Sequence, residues 1–333
     1  QRKALYIDKL IRIAPRTAQW DYLGDATIPT YRGINIDLDY LHLSQIGHGR
    51  IVPIKDAAIT YPARTRTYAF STAQNLTPLT LRSHTFEGPL WDVDTALTTG
   101  MPSMYMAACI GVDRVDIRRA YNRNDTGDTR QGHGFTLQNC RDVSLRDIEG
   151  RHIKQFANFS HCEGVHIHGL IARDFVEFID FDHWCKDVIV SDCYFTDSPS
   201  NDESQCLDIV GQNITVSNVI ARDIAGNIGG IYIKTNDWTT FQQQVENDSA
   251  VNEASGQGRC PERVILSNIV GQNVGFDGAY PSIFVSTARA IDIGSGYGIV
   301  KSVTLDNIQL DGCTGIVVRE GEDIRIRDVT IRD

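Results

Sequence analysis

The chain has 333 residues, of which 41% are hydrophobic and 22% charged, and its formal net charge at pH 7 is −10. No apolar run approaches the ~18 residues of a membrane-spanning helix, so we expect no membrane insertion. An acidic chain without a dense cluster of Lys and Arg is poorly matched to a phosphate backbone, and we expect no nucleic-acid partner.

The first part of the chain, residues 1–32, has the weakest pattern and fits either an N-terminal cap or the first strands of the domain that follows. From Gly33 the strand pattern is firm, because Ile34, Ile36 and Leu38 alternate with polar residues, as in a strand with one buried face. We therefore predict one elongated domain over residues 33–333.

Three insertions are expected within this domain. Residues 53–102 are interrupted by several prolines, which do not fit central strands, so this part is expected to combine rungs of the helix with long loops. Residues 121–134 form a polar segment with glycines, typical of a loop that borders a cleft. Residues 236–262 are the longest insertion, and a loop of that length in a compact repeat is usually functional or disordered.

Between residues 134 and 235 one short pattern recurs: an apolar strand, a polar corner and a second apolar strand. The second strands begin at Val143, Val165, Val188 and Ile214, in steps of 22, 23 and 26 residues. This period fits a coil of about three short strands and is too short for a pair of helices. Leucine-rich repeats have a similar period, but the spaced leucines and Asn that define them are missing from this chain. Val, Ile, Phe and Cys occupy the corresponding positions.

Such copies cannot bury their apolar faces alone, so they must stack on one another. We predict an all-β fold, a right-handed single-stranded parallel β-helix. Cys140, Cys162 and Cys185 occupy matching positions in successive copies, which favours a column of buried thiols over the disulfides that eight Cys would allow. Their spacing does not fit zinc. We predict no metal site and no cofactor; calcium stays open because carboxylate ladders bind it, although its GGxGxDxUx repeat does not occur.

The first strand of each copy defines a stack of inward-facing residues when it is counted back from the second strand. The predicted stack is Leu137, Phe159, Phe181, Ile209 and Ile233. The residues flanking this stack must point outward. One outward row is predicted to contain Thr136, Asn158, Asp180, Asp208 and Tyr232, and the other Gln138, Ser160, Asp182, Val210 and Lys234.

Asp180, Asp182 and Asp208 are the candidate catalytic residues. Strands lie about 4.8 Å apart, so Asp180 and Asp208 would be neighbours on one exposed face, whereas Asp180 and Asp182 would lie about 6.5–7 Å apart along one strand. Close carboxylates raise one another's pKa, so that one acts as a general acid and the other as base or nucleophile. Glycoside hydrolysis needs such a pair, with about 5–5.5 Å between carboxyl groups for retention and about 6.5–9.5 Å for inversion. Both outcomes stay open.

Six further residues are expected to contact substrate near these carboxylates. They are Glu177, His183, Trp184, Tyr232, Lys234 and Trp238. Glu177 would be a reserve acid, and His183 or Lys234 would tune the carboxylates or hold a carboxylate of the substrate. The indole of Trp184 offers a flat face to a sugar ring.

Nearly the whole chain resembles the pectin-lyase-like superfamily of right-handed β-helices. GIYIKT, residues 230–235, is similar to the last active-site strand of polygalacturonase-type hydrolases, and CLDIVGQNI, residues 206–214, to the strand after their paired Asp. Ser204 and Gln205 stand in the positions of that paired Asp, and no GHG lies on the intervening rung. YRGINIDLDYLHLSQIGHGRI, residues 31–51, is similar to the first rungs of bacteriophage tailspikes and capsule depolymerases.

The resemblance to tailspikes implies an endo-acting glycoside hydrolase that degrades a bacterial surface polysaccharide, as a homotrimer on a virion tail or as a secreted protein. No signal peptide is visible at the start of the chain. Two alternatives stay open. One is a polysaccharide lyase that removes the proton beside a uronate carboxylate, with Lys234, Tyr232 or His183 as base. The other is a non-catalytic spike or adhesin that binds glycan.

Overall fold

The computed structural model describes residues 3–7, 10–13, 17–20, 29–36, 40–45, 50–55, 57–58, 66–72, 82–94, 103–126, 132–198, 204–225, 229–234, 261–274, 283–286, 300–318 and 321–332. The strands are β1 (Lys3–Ile7), β2 (Leu10–Ile13), β3 (Thr17–Trp20), β4 (Pro29–Ile36), β5 (Tyr40–Gln45), β6 (Arg50–Pro53), β7 (Arg66–Thr72), β8 (Ser83–Glu87), β9 (Leu90–Asp94), β10 (Ser103–Ile110), β11 (Val115–Arg118), β12 (Tyr121–Thr126), β13 (His133–Gln138), β14 (Arg141–Ile153), β15 (Gln155–Ser160), β16 (Glu163–Phe175), β17 (Glu177–Ser198), β18 (Ser204–Ile224), β19 (Gly229–Lys234), β20 (Glu262–Val274), β21 (Ile283–Ser286), β22 (Lys301–Asp311), β23 (Ile316–Val318) and β24 (Glu322–Arg332).

These strands pair from coil to coil into three parallel sheets. Sheet A contains β4, β7, β10, β13, β15, the starts of β17 and β18, β19, β21 and β23. Sheet B contains β1, β5, β8, β11, the starts of β14, β16, β20, β22 and β24 and the middles of β17 and β18. Sheet C contains β2, β6, β9, β12 and the ends of those long strands. The chain is the predicted parallel β-helix, with one antiparallel pair, β3 with β4, among the described strands.

Corners of the coil are made by single residues with left-handed backbone. Asp187, Asp192 and Asp197 recur every five residues in β17 with φ of 56°, 56° and 53°, and Asn213 and Asn218 occupy the same corners of the next coil. Asn and Asp tolerate this conformation better than other non-glycine residues because their short polar side chains bond locally. One such residue turns the chain without ending the ladder, which explains strands as long as β17.

The corner side chains also bond to one another from coil to coil. The Nδ2 atom of Asn213 donates to Oδ1 of Asp187 at 2.6 Å, and that of Asn218 donates to Oδ1 of Asp192 at 3.1 Å. Asn268 continues the second column by donating to Oδ1 of Asn218 at 3.1 Å. These amide columns run along the outside of the helix, parallel to its backbone hydrogen bonds.

The predicted inward stack is confirmed. Its five members, Leu137, Phe159, Phe181, Ile209 and Ile233, are register partners on successive coils, and all are fully buried. A second stack lies beside it, where the ring of Phe178 is 5.4 Å from that of Phe156. Phe178 also meets Phe175 and Phe195 edge-on, at 5.6 and 5.9 Å between ring centroids. Aromatic rings from neighbouring coils therefore share one core.

The column of thiols is confirmed as well. Cys140, Cys162 and Cys185 are free and fully buried, and the thiols of Cys140 and Cys162 donate to the backbone oxygens of Cys109 and Leu137 at 3.3 and 3.4 Å. Burial raises the pKa of the Cys140 and Cys185 thiols well above the usual value. Burial also raises the pKa of Cys193 to about 12. A buried, protonated thiol is a poor nucleophile.

We expect these buried thiols to resist alkylation in the native protein. Of the seven described cysteines only Cys313 is partly exposed, so iodoacetamide at neutral pH should label Cys313 well before Cys140, Cys162 or Cys185. Peptide mass spectrometry after timed labelling measures this, with urea-unfolded protein as the control in which all thiols react. Equal labelling rates at Cys313 and Cys162 under native conditions would contradict the buried column.

Three predicted boundaries are refined by the strand pairing. β1 and β2 pair with β5 and β6, so residues 3–13 supply strands of the helix. Residues 53–102 contain β7, β8 and β9, which together form one coil in register, so part of this segment consists of rungs of the helix. The segment 121–134 begins with β12, which pairs with β9 and β14. The sequence pattern did not reveal this strand, because its inward, buried position is occupied by the polar residue Asn122 and not by an apolar residue.

Residues 235–260, which make up most of the predicted insertion at 236–262, lie outside the described residues. In the described ranges, no helix is long and apolar enough to span a bilayer.

Candidate active site

The site lies on the outward side of sheet A, where the predicted first row is confirmed in register. Asp180 and Asp208 are direct partners on adjacent coils. Asn158 precedes Asp180 on the coil before, and Tyr232 follows Asp208 on the coil after. Adjacent strands lie about 4.8 Å apart, so two carboxylates distant in sequence meet at one place on the sheet.

The expectation that these carboxylates stand on an exposed face is wrong. Asp180 is 7% exposed and Asp208 4% exposed. Other polar residues that point outward from sheet A, among them Gln155, Ser160 and Gln205, are also buried. Charges in such surroundings interact more strongly than at a solvated surface, because less water screens them.

The side chain of Asp180 is held by two amides from the coil before it. Nδ2 of Asn158 and Nε2 of Gln155 donate to Oδ2 of Asp180 at 3.0 and 3.1 Å. The same Nε2 lies 3.4 Å from Oε2 of Glu177, so Gln155 lies between two carboxylates. The Asp180 carboxylate is therefore fixed in orientation by side chains and does not cap local backbone through these bonds.

A second polar row runs beside the first. Tyr68, Tyr105, His133 and Gln155 are successive register partners in sheet A, and Glu177 pairs with Gln205 further along. Apart from Glu177, sequence reasoning missed this row. The sequence signal for this row was the recurrence of polar residues at the repeat length of one coil. His133, Gln155 and Glu177 follow one another at intervals of 22 residues.

The aromatic end of this second row connects to Asp180 through His133. The imidazole of His133 stacks on the ring of Tyr105 with centroids 4.2 Å apart, and its Nδ1 lies 3.1 Å from Oε1 of Gln155. Because the Gln155 amide nitrogen donates to Asp180, its oxygen is the acceptor, and Nδ1 of His133 must carry the proton. The order of donation is thus His133 to Gln155 to Asp180.

Replacing Gln155 by Leu should destabilise this network. His133 would lose its acceptor and Asp180 one of two amide donors, and leaving buried polar groups unsatisfied costs about 1–3 kcal/mol. Urea unfolding measures the loss of unfolding free energy. Gln272→Leu, the same substitution at an exposed position of sheet C, is the control and should change stability by less than ~0.5 kcal/mol. A Gln155 variant as stable as this control would show that the bridge is unimportant.

The second predicted outward row is confirmed only at its start. Gln138 pairs with Ser160, but Ser160 then pairs with His183 and not with Asp182. Against the coil before, the register shifts between Phe159 and Ser160, because β17 has one residue more there. Against the coil after, it shifts between Phe181 and Cys185, where β17 has two residues more. By backbone register, Asp182 is therefore not the partner of Ser160 in that row.

Several predicted site residues cannot be placed by their side chains. The side chains of Asp182, His183, Trp184, Tyr232 and Lys234 lie outside the described part of the structure, as does the whole of Trp238. The backbone of the first five lies in β17 and β19. Among the described residues, no group of three or more His, Cys, Asp or Glu is arranged to hold a metal ion. The described chemistry is that of a buried carboxylate pair with amide donors.

Solved structures with similar architecture exist. An alginate lyase is 8% identical with a TM-score of 0.46, over 99% of this chain and 79% of its own. The family 28 exopolygalacturonase of Yersinia enterocolitica is 11% identical with a TM-score of 0.42, over 97% of this chain and 72% of its own. The tailspike protein of E. coli bacteriophage HK620 is 10% identical with a TM-score of 0.38, over 99% of this chain and 60% of its own.

Their identities are 8–11% and their TM-scores lie below 0.5, and the parallel β-helix is established by the strand pairing of this chain itself. No known family profile matches the chain, and no curated protein matches its sequence.

Proposed function

We propose that the protein is a polysaccharide-degrading glycoside hydrolase in which Asp180 and Asp208 form the catalytic pair. The observation that supports this proposal is that the two carboxylates are register partners, both almost fully buried, on one outward row of sheet A. Two neighbouring acids in weakly hydrated surroundings do not both ionise readily, and a reaction that uses one protonated and one ionised carboxyl group suits them.

The hydrogen bonds suggest which carboxyl group has which role. Asp180 accepts two amide hydrogen bonds, from Asn158 and Gln155, and such donors favour the charged form of a carboxyl group. Asp180 is then the ionised nucleophile or base, and Asp208 the acid that protonates the leaving oxygen. Asp182 remains a predicted alternative partner of Asp180.

The spacing of the pair favours retention of anomeric configuration. Partners on adjacent strands are separated by about 4.8 Å, close to the ~5–5.5 Å between the carboxyl groups of retaining enzymes and short of the ~6.5–9.5 Å that leaves room for an inverting water. The proposed first step is attack of an Asp180 oxygen on the anomeric carbon while Asp208 gives its proton to the departing sugar. Water then releases the sugar with Asp208 acting as base.

The test is to incubate the protein with a panel of bacterial capsular and lipopolysaccharide glycans and to identify the products. Hydrolysis gives new reducing ends and products heavier by one water, and proton NMR at early times shows which anomer forms first. A near-ultraviolet absorbance from an unsaturated sugar would instead establish a lyase, the runner-up function. Glycan binding without new ends over a long incubation would establish a non-catalytic spike.

A homotrimer that acts from a virion tail is the assembly we propose for this function. An outward row on sheet C supports a subunit contact, because Ile171, Ile220 and Val270 are apolar and 37–38% exposed there. Light scattering behind a sizing column gives the mass in solution. A monomer at micromolar concentration would count against the assembly and would leave the chemistry untouched.

A further inference from the structure

A pocket of about 440 Å³ opens on the outward face of sheet B, at the coils that contain β5, β8 and β11. Its lining includes Tyr40, His42, Arg82, Thr85, Arg114 and Arg118, and one acid, Asp113. This pocket is far from the carboxylate pair. Three to four coils, or about 14–19 Å along the helix axis, separate it from Asp180 and Asp208, which lie on sheet A.

The pocket has an excess of positive charge although the whole chain carries −10. The two carboxylates next to the lining are already occupied by cations. Nη2 of Arg118 lies 3.0 Å from Asp116, which also pairs with Arg146 at 3.2 Å. Glu87 pairs with His42 at 3.2 Å and with Arg119. Arg82 and Arg114 also line the pocket, and Asp113 is the one acidic residue of its lining.

Two arginines of the lining have guanidinium donors without a described acceptor. The side chain of Arg118 is 39% exposed, and Nη2, at 3.0 Å from Asp116, is its one guanidinium nitrogen with a described partner. In the described parts of the chain the guanidinium of Arg114 also has no acceptor, although its backbone is fixed by a 2.8 Å bond from the His84 amide to its carbonyl oxygen. Guanidinium groups with free donors match the two oxygens of a carboxylate better than those of any neutral group.

The other lining residues fit a sugar. The ring of Tyr40 is 39% exposed at the pocket, and an exposed aromatic face packs against the apolar side of a pyranose. Ser83 and Thr85 add hydroxyl groups that exchange hydrogen bonds with sugar hydroxyls. An aromatic face, hydroxyls and unsatisfied arginines together describe a site for a sugar that carries a carboxylate.

We propose that this pocket is a docking subsite for a uronate unit of an acidic polysaccharide, separate from the carboxylate pair. It extends the proposed function by naming an acidic glycan as the polymer that is bound. Binding at this pocket needs no turnover, and it is expected to persist when the catalytic pair is disabled. Anchoring an acidic polymer here would hold it on a protein whose overall charge repels it.

Calorimetric titration of the Asp180→Asn protein with a galacturonate tetramer and with its methyl-esterified form tests the proposal. The free acid should bind at least tenfold more tightly than the ester, and more weakly as salt is raised. Arg114→Gln should weaken binding of the acid by roughly fivefold to tenfold, because a charged hydrogen bond is lost. Arg173→Gln, an exposed arginine of sheet C without a described partner, is the matched control and should bind as tightly as the parent.

Three outcomes would overturn the subsite: equal affinity for acid and ester, equal loss in the Arg114 and Arg173 variants, or competition by inorganic phosphate at the concentration of the tetramer, which would indicate a general anion site.

Arg118→Gln supplies a second variant at the same pocket. It should weaken binding as Arg114→Gln does, with unchanged binding counting against the pocket. Because the titration measures binding alone, its result is independent of whether the wild-type protein releases products from any glycan.

Discussion

The Asp180→Asn protein is expected to lose glycan-degrading activity by roughly 10²- to 10⁴-fold, the range that a positioned acid or base contributes. Asn fills nearly the same volume and can still accept from the amides of Asn158 and Gln155 through its oxygen, so the fold should be retained. Asp208→Asn should show a comparable loss. The double variant should lose little more than either single one, because the two groups act as a unit. Initial rates of reducing-end release measure all three.

Stability distinguishes this catalytic assignment from a structural role. Asp180 and Asp208 are neighbouring, almost buried acids that hinder one another's ionisation, so replacing one of them by a neutral amide should leave the free energy of unfolding unchanged or raise it. A structural role predicts the opposite. Asp197→Asn is the control, because Asp197 is exposed on the same strand and Asn tolerates its left-handed backbone. Full activity in both Asp180→Asn and Asp208→Asn would remove the pair from the mechanism.

Phe178→Ala is expected to lower the free energy of unfolding by about 3–5 kcal/mol, the cost of removing a large ring from a packed core. The ring of Phe178 contacts those of Phe156, Phe175 and Phe195, so its loss leaves a cavity bordered by residues of two coils. A cavity in a stack of coils cannot collapse without shifting every strand that borders it. Urea unfolding followed by circular dichroism measures the change.

The matched control for this variant lies on the same strand. Ile189 is 45% exposed on β17, and Ile189→Ala should cost less than about 1 kcal/mol, because little apolar surface is buried there. A Phe178 variant no less stable than the Ile189 variant would contradict the aromatic core. An unfolding curve in two steps would show that the coils on either side unfold separately, as repeat proteins do when their cooperativity is broken.

The repeat made most of the fold predictable. Once the second strands were aligned, counting back placed Phe159, Phe181 and Ile209 in one inward stack and Asp180 opposite Asp208, and the structure has both. This succeeds because strands of period two leave a residue only two directions to point, so a correct register settles the face. The five-residue spacing of Asp187, Asp192 and Asp197 was a further signal, for the corners, that went unused.

The failures have physical causes. Asp182 was assigned to a row by assuming equal coils, yet the step from Val165 to Val188 is one residue longer than the step from Phe159 to Phe181, so an extra residue had to lie in between. The burial of Asp180 was not predictable in this way. It depends on which side chains cover sheet A, and strand periodicity says which way a residue points without saying what lies over it.

The external amide columns set a chemical limit on the lifetime of the protein. Asn218 donates to Asp192 and accepts from Asn268, so hydrolysis of its amide to a carboxylate would replace an attraction by repulsion between two anions. The residue that follows Asn218 is Val219, and Ile269 follows Asn268; their branched side chains crowd the backbone nitrogen that would attack the amide. The β-branched residues that fill the core of the helix therefore also slow deamidation of the amide columns on its outside.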